Sequence, residues 1–141
     1  MPVANPTAAA SNDLTALGLK LGFFKLVVRD VPATTAFFQK TFGFEIRNRI
    51  ELPGIVEVVM GLPGERFSLV LYHNTDGRAV ELGNGYGPVG FTTTDVDAAY
   101  ARALANGATE ARKPFDLGPT RLAFVRAPEG HLIELIQRPK D

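Results

Sequence analysis

Arg121–Gln137 reads RLAFVRAPEGHLIELIQ. Two apolar runs of strand length flank Ala127-Pro128-Glu129-Gly130, whose Pro and Gly are turn chemistry, so the stretch predicts a β-hairpin. Along its second strand His131, Ile133 and Leu135 share one face, and Leu132, Glu134 and Ile136 share the other. Glu134 is therefore a carboxylate between two large aliphatic side chains, on a face apolar enough to expect burial. A buried carboxylate needs a cation, a metal or a proton. What satisfies Glu134 is the functional question that this chain poses.

The rest of the composition narrows the answer. A chain of 141 residues with 45% hydrophobic content suffices for one core, or for two small modules that share one. Fifteen basic residues balance fifteen acidic ones, which leaves no electrostatic footprint for nucleic acid or for an anionic membrane surface. Cysteine is absent, and with it disulfides, thiolate metal sites and a Cys nucleophile. No apolar run approaches the roughly 20 residues of a membrane span. The amino-terminal PVANPTAAASND lacks the basic start and apolar segment of a secretory signal. Residues 1–20 read as a flexible arm, and the cytoplasm as the compartment.

Upstream of the hairpin, Ser11 or Asn12 caps a short turn through Leu14 to Leu17. Phe23 to Val28 is strand-like, with Phe23, Lys25 and Val27 on one face. Asp30 ends the strand, Pro32 suits a first helical position, and Ala33 to Phe42 is an amphipathic helix closed by Gly43. Strands are expected at Glu45 to Ile50, Ile55 to Met60 and Arg66 to His73, completing a βαβββ module over about residues 22–75. The glycine-rich loop that follows has no Lys-Ser/Thr and opens no helix, so a linker at 76–87 is a better account than a phosphate loop. From residue 88 to 139 the pattern restarts: a strand at Val89 to Thr93, Asp95 as N-cap, a helix from Val96 to Ala105, Gly107 as C-cap, a strand near Thr109 to Lys113, and the hairpin. Asp30 and Asp95 stand 65 positions apart, as do Pro63 and Pro128, which marks an internal duplication. The same spacing matches Phe23 with Pro88 and Leu69 with Glu134.

Three segments carry a resemblance: VVRDVPATTAFFQKTFGFEI, ELGNGYGPVGFTTTDVDAAYARALANGA and APEGHLIELI. Over roughly Gly22 to Pro139 the chain resembles the vicinal oxygen chelate superfamily, which includes glyoxalase I, bleomycin-resistance proteins and extradiol dioxygenases. The resemblance implies an α+β fold of two βαβββ modules, related by a pseudo-twofold, whose curved mixed sheets form a cup. Whether the cup closes within one chain or across a homodimer stays open. It further implies four metal-ligating positions, which fall here on Phe23, Leu69, Pro88 and Glu134. Only Glu134 bears a donor, whereas a divalent ion in a dry cup needs three or four. Neither a bound metal nor another cofactor is therefore expected.

Strand parity sends Lys25 to the same face as Phe23, so a Lys25–Glu134 ion pair is the first expectation for the lost charge; the alternative leaves Lys25 at the mouth and Glu134 protonated or hydrated. His73, read as sharing a cup-facing side with Leu69 and Leu71, is a candidate general base. Tyr86 is a candidate contact to a carbonyl or phenol, as is Tyr72 unless it is core; Arg121 and Arg126 fall on opposite faces, so one of them, with Arg121 the candidate, could bind an anionic group. Arg47, Arg49 and Glu57 read equally well as cup rim or ordinary strand faces, and His131 as structural or exposed. Two functions survive. One is binding of a small, partly apolar molecule with metal-independent isomerase- or lyase-type proton transfer, Glu134 or His73 acting as base and Lys25 or an Arg stabilising an oxyanion. The other is sequestration of a drug or metabolite without turnover.

Overall fold

A computed structural model describes residues 14–139; the expected cap at Ser11 or Asn12 lies outside them. After a 3-10 turn at Leu14–Leu17, strand β1 (Phe23–Val27) leads into helix α1 (Val31–Phe42), then β2 (Glu45–Leu52), β3 (Ile55–Gly61) and β4 (Ser68–Asn74). The second half repeats the order with β5 (Val89–Thr92), α2 (Val96–Ala105), β6 (Thr109–Leu117), β7 (Thr120–Arg126) and β8 (Leu132–Gln137). Helix α2 starts at its expected residue, and α1 starts at Val31, two residues before the expected Ala33, with Asp30 as its cap. The side chains of Asp30 and Asp95 accept hydrogen bonds from the N–H groups of Ala33 and Ala98, each at 3.0 Å, satisfying donors that a helix start leaves free. Gly43 closes α1 at φ 80°, a conformation that costs a Cβ-bearing residue. Asn106 rather than Gly107 caps α2. Strand β6 runs four residues past its expected end. Among the described residues no helix is long and apolar enough to cross a membrane.

Each half folds into its own four-stranded mixed sheet, in the orders β1-β4-β3-β2 and β5-β8-β7-β6. The first and last strands of each half pair in parallel, and the other pairs are antiparallel. Both helices lie against one side of their own sheet and against each other. One hydrophobic core results, joining Leu26, Val28, Leu69, Leu71 and Met60 of the first sheet to Val125, Ile133 and Leu135 of the second through Phe37, Phe38 and Val96 of the helices. Phe42 stacks on Phe91 across the junction, with ring centroids 4.0 Å apart.

Among the described residues the opposite side of each sheet, its open face, carries no helix. On the first it carries Phe23, Lys25, Val27, Glu57, Val70 and Tyr72; on the second it carries Gly90, Phe124 and Glu134. Strands β1 and β5 are edge strands and do not pair with each other. Since the helix-bearing sides meet in the shared core, the two open faces both turn outward from it.

Candidate functional site

Glu134 stands between Gly90 on β5 and Phe124 on β7. It is half-buried, and among the described residues no hydrogen bond or ion pair reaches it. Gly90 has no heavy atom within 4 Å of where a Cβ would be, so a notch opens beside the carboxylate. Next to it Phe115 and Phe124 lie nearly parallel, 19° apart, and the Arg112 guanidinium sits 3.6 Å above the Phe115 ring. This aromatic shelf was not read from the sequence, because bulges in the β6–β7 pairing break the alternation that would have placed its members together.

Lys25 does not pair with Glu134. Its ammonium lies 2.5 Å from Glu57 Oε2, and it sits 5.3 Å from the ring centre of Tyr72 and 5.6 Å from that of Phe23. Glu57 is only 8% exposed. Strand β4 separates the two residues, so the pair depends on non-local register. Sequence alternation left Glu57 ambiguous for that reason.

The expected positions of Leu69, Leu71 and His73 are corrected by the same register. Lys25 is level with Val70, and alternation then turns Leu69 and Leu71 to the helix side, where they are 4% and 0% exposed. The connection between β3 and β4 is one residue longer than that between β7 and β8. Hence Val70, not Leu69, stands to Lys25 as Glu134 stands to Gly90. His73 shares the helix side, and its Nδ1–H donates to the carbonyl of Val28 at 2.8 Å, since a carbonyl can only accept. It lines a crevice of about 320 Å³ with Arg29, Asp30 and Arg49, away from both open faces.

Arg121 is likewise committed elsewhere. Its guanidinium donates to Asp97 at 2.9 and 3.0 Å and to Asp116 at 3.0 Å, and it holds the Asp97 carboxyl below the usual carboxylate range. Arg47 donates to the carbonyls of Leu62 and Glu65 and packs so tightly on Gly61 that a Cβ there would meet its guanidinium at 2.0 Å. It braces the β3–β4 connection, and Arg49 pairs with Glu51 at 3.3 Å. Tyr86 is 58% exposed and borders a cavity of about 240 Å³ with Phe24, Leu26, Val89 and His131. His131 donates from Nε2 to the carbonyl of Val27 at 3.0 Å, and burial pushes its pKa down.

The residues present do not fit a divalent ion at the positions the resemblance assigns. Phe23, Pro88 and either Leu69 or Val70 offer no oxygen or nitrogen donor, and Lys25 places an ammonium on the same face as Phe23. Among the described residues no three of His, Cys, Asp and Glu converge to hold a metal. Glu134 is left with an open notch and an aromatic neighbour, and among the described residues no cation pairs with it.

A family model described as Glyoxalase/Bleomycin resistance protein/Dioxygenase superfamily matches residues 20–135. A lactoylglutathione lyase of Neisseria meningitidis is 30% identical over 119 residues, which cover 80% of this chain and 86% of that protein. One from Salmonella typhimurium is 29% identical over 118 residues, covering 79% and 87%. Among solved structures, glyoxalase I from Zea mays superposes with a TM-score of 0.77 at 23% identity, over 86% of this chain. This chain spans only 45% of the maize enzyme's length. A glyoxalase family protein from Bacillus cereus superposes equally well, at 20% identity, over 86% of this chain and 95% of its own. At these identities the structural likeness is one of fold.

Proposed function

We propose a function for this chain from the fact that it belongs to the Glyoxalase/Bleomycin resistance protein/Dioxygenase superfamily: it binds a small, partly apolar carbonyl compound without a metal and moves a proton next to the carbonyl. The observation that carries this reading is Glu134 itself, half-buried and without a partner among the described residues, at a position that the resemblance assigns to a metal ligand and beside the Gly90 notch. The site is shared in a homodimer, the first open face of one chain meeting the second open face of the other. Supporting this, β1 is an edge strand, paired on one side only, that exposes Phe23, Phe24 and Val27 by 62%, 43% and 37%, an apolar edge of the kind that proteins cover. Such pairing brings Lys25 of one chain toward Glu134 of the other, which a single chain does not do.

In this reading Glu134 takes a proton from the carbon beside the carbonyl, and the C–H electron pair forms a C=C bond as the carbonyl oxygen becomes an enolate. An N–H of Lys25 donates to that oxygen, more strongly as its charge develops. Return of the proton to the same or another carbon gives isomerisation; loss of a neighbouring group gives elimination. The second reading, sequestration without turnover, draws support from the apolar open faces.

The test follows the proton. Wild-type protein in D₂O is expected to speed deuterium entry at the α-carbon of at least one member of a panel of neutral aryl ketones, and Glu134→Gln to abolish this with the fold retained. Saturable binding without exchange favours sequestration. Elemental analysis showing near-stoichiometric divalent metal in the purified protein overturns the metal-free premise of both.

A further inference from the structure

We infer that Glu57 is a positioning residue: it holds the Lys25 ammonium in place on the open face of the first module, where that ammonium recognises a neutral carbonyl oxygen. This rests on the reading just given and names the ligand chemistry of the same site.

Three observations carry it. First, the pair is not an ordinary solvated ion pair, because the Glu57 side chain is 11% exposed while that of Lys25 is 41% exposed. A carboxylate that buried requires its partner, whereas Lys25 still presents part of its ammonium to the face. Second, the ammonium is held on several sides. Glu57 takes one N–H at 2.5 Å, the Tyr72 and Phe23 rings lie 5.3 and 5.6 Å from it, and Glu57 and Val27 both stand level with Tyr72. An ammonium has three N–H donors, and Glu57 accounts for one. Third, the charges cancel locally. A Lys25–Glu57 centre has no net charge with which to attract a carboxylate, yet its free N–H groups still donate. Such a centre favours an uncharged acceptor, C=O, over an anion, while the adjoining Phe23 ring, 62% exposed, suits an aryl group beside that carbonyl.

The surroundings do not by themselves call for an ion pair. Glu57 lies opposite Ile50 and Tyr72 in the sheet, positions that an apolar residue would fill without needing a lysine. Replacing a buried pair by apolar residues commonly costs nothing in stability. An ion pair here serves to present a fixed charge.

The experiment uses the full chain and two probes of nearly the same shape, acetophenone and α-methylstyrene, which differ by C=O against C=CH₂. Wild type is expected to bind acetophenone about tenfold more tightly, the discrimination that one hydrogen bond to a charged donor provides. Lys25→Met is expected to erase the preference. Glu57→Gln is expected to reduce it severalfold and to broaden or remove the ¹⁵Nζ resonance of Lys25, which a held ammonium shows and a solvated one loses to exchange. Glu57→Asp, which keeps the charge but shortens the reach, is expected to fall between and covers the case in which Glu57→Gln does not fold. An unchanged preference and an unchanged Lys25 resonance in Glu57→Gln or Glu57→Asp would overturn the positioning role while leaving the broader reading intact. Wild type and Lys25→Met both failing to distinguish the two probes would overturn that reading as well.

Discussion

Glu129, in the β7–β8 turn, accepts a 2.7 Å hydrogen bond from the backbone N–H of Asp30 at the start of α1, almost a hundred residues away in sequence. It takes a second from the N–H of Arg29 at 2.7 Å and a third from the hydroxyl of Thr34 at 3.1 Å. A carboxylate at a helix amino terminus is also favoured by the helix dipole. One side chain of the second module thus fixes the entry to the first module's helix. Glu129→Ala is expected to lower stability by about 2–3 kcal/mol, from the loss of several charge-assisted hydrogen bonds. Urea melts of the variant beside Glu129→Gln, which keeps part of the set and should lose less, check this.

His131 bridges the modules from the same turn, and burial holds its pKa below the ordinary value of 6.5. The unfolded chain therefore binds a proton at a higher pH than the folded one. Stability is fully present above the unfolded pKa and falls as pH drops through it toward the depressed folded value. Thermal melts between pH 7.5 and 5 are expected to show this decline, and His131→Gln to flatten it. An equally steep decline in the variant would assign the effect to other groups.

Gly90→Val addresses the notch beside Glu134. No heavy atom lies within 4 Å of the new Cβ and the backbone needs no positive φ, so the fold should lose less than about 1 kcal/mol. Ligand affinity, read by titration with an aryl ketone, should fall at least tenfold. Undiminished affinity would remove the notch from the site.

The edge strand gives a further expectation. Phe23→Asp puts a charge on an exposed apolar edge and should convert a sedimenting dimer to monomer without changing the far-ultraviolet circular dichroism. A wild-type chain that sediments as a monomer at tens of micromolar would sink the shared-site arrangement directly.

Phe38, fully buried among Phe37, Phe42 and Phe44, anchors the core that both modules use. Phe38→Ala is expected to cost about 3–5 kcal/mol, and because the core is continuous, tryptic fragments of both halves should become accessible together. Survival of the second half as a protected fragment would show the modules to be independent.

Much of this molecule was written in short-range chemistry. Asp30, Asp95 and Gly43 mark helix ends because capping and left-handed backbone are properties of a residue and its next few neighbours. Alternation set the faces of β1 and β8, and the repeat from Asp30 to Asp95 marks two like modules in the sequence itself. That Phe23 and Pro88 carry no metal donor follows from their identity alone. What only the folded chain decided depends on partners far apart in sequence. A single extra residue between β3 and β4 turned Leu69 and His73 inward and Val70 outward, since one step of strand register exchanges the two faces of a sheet. The partner of Lys25 is Glu57, two strands away, and Arg121 is held by Asp97 and Asp116. Among the described residues Glu134 has no partner, because the two modules join by their helix-bearing sides, where most of the apolar surface is buried.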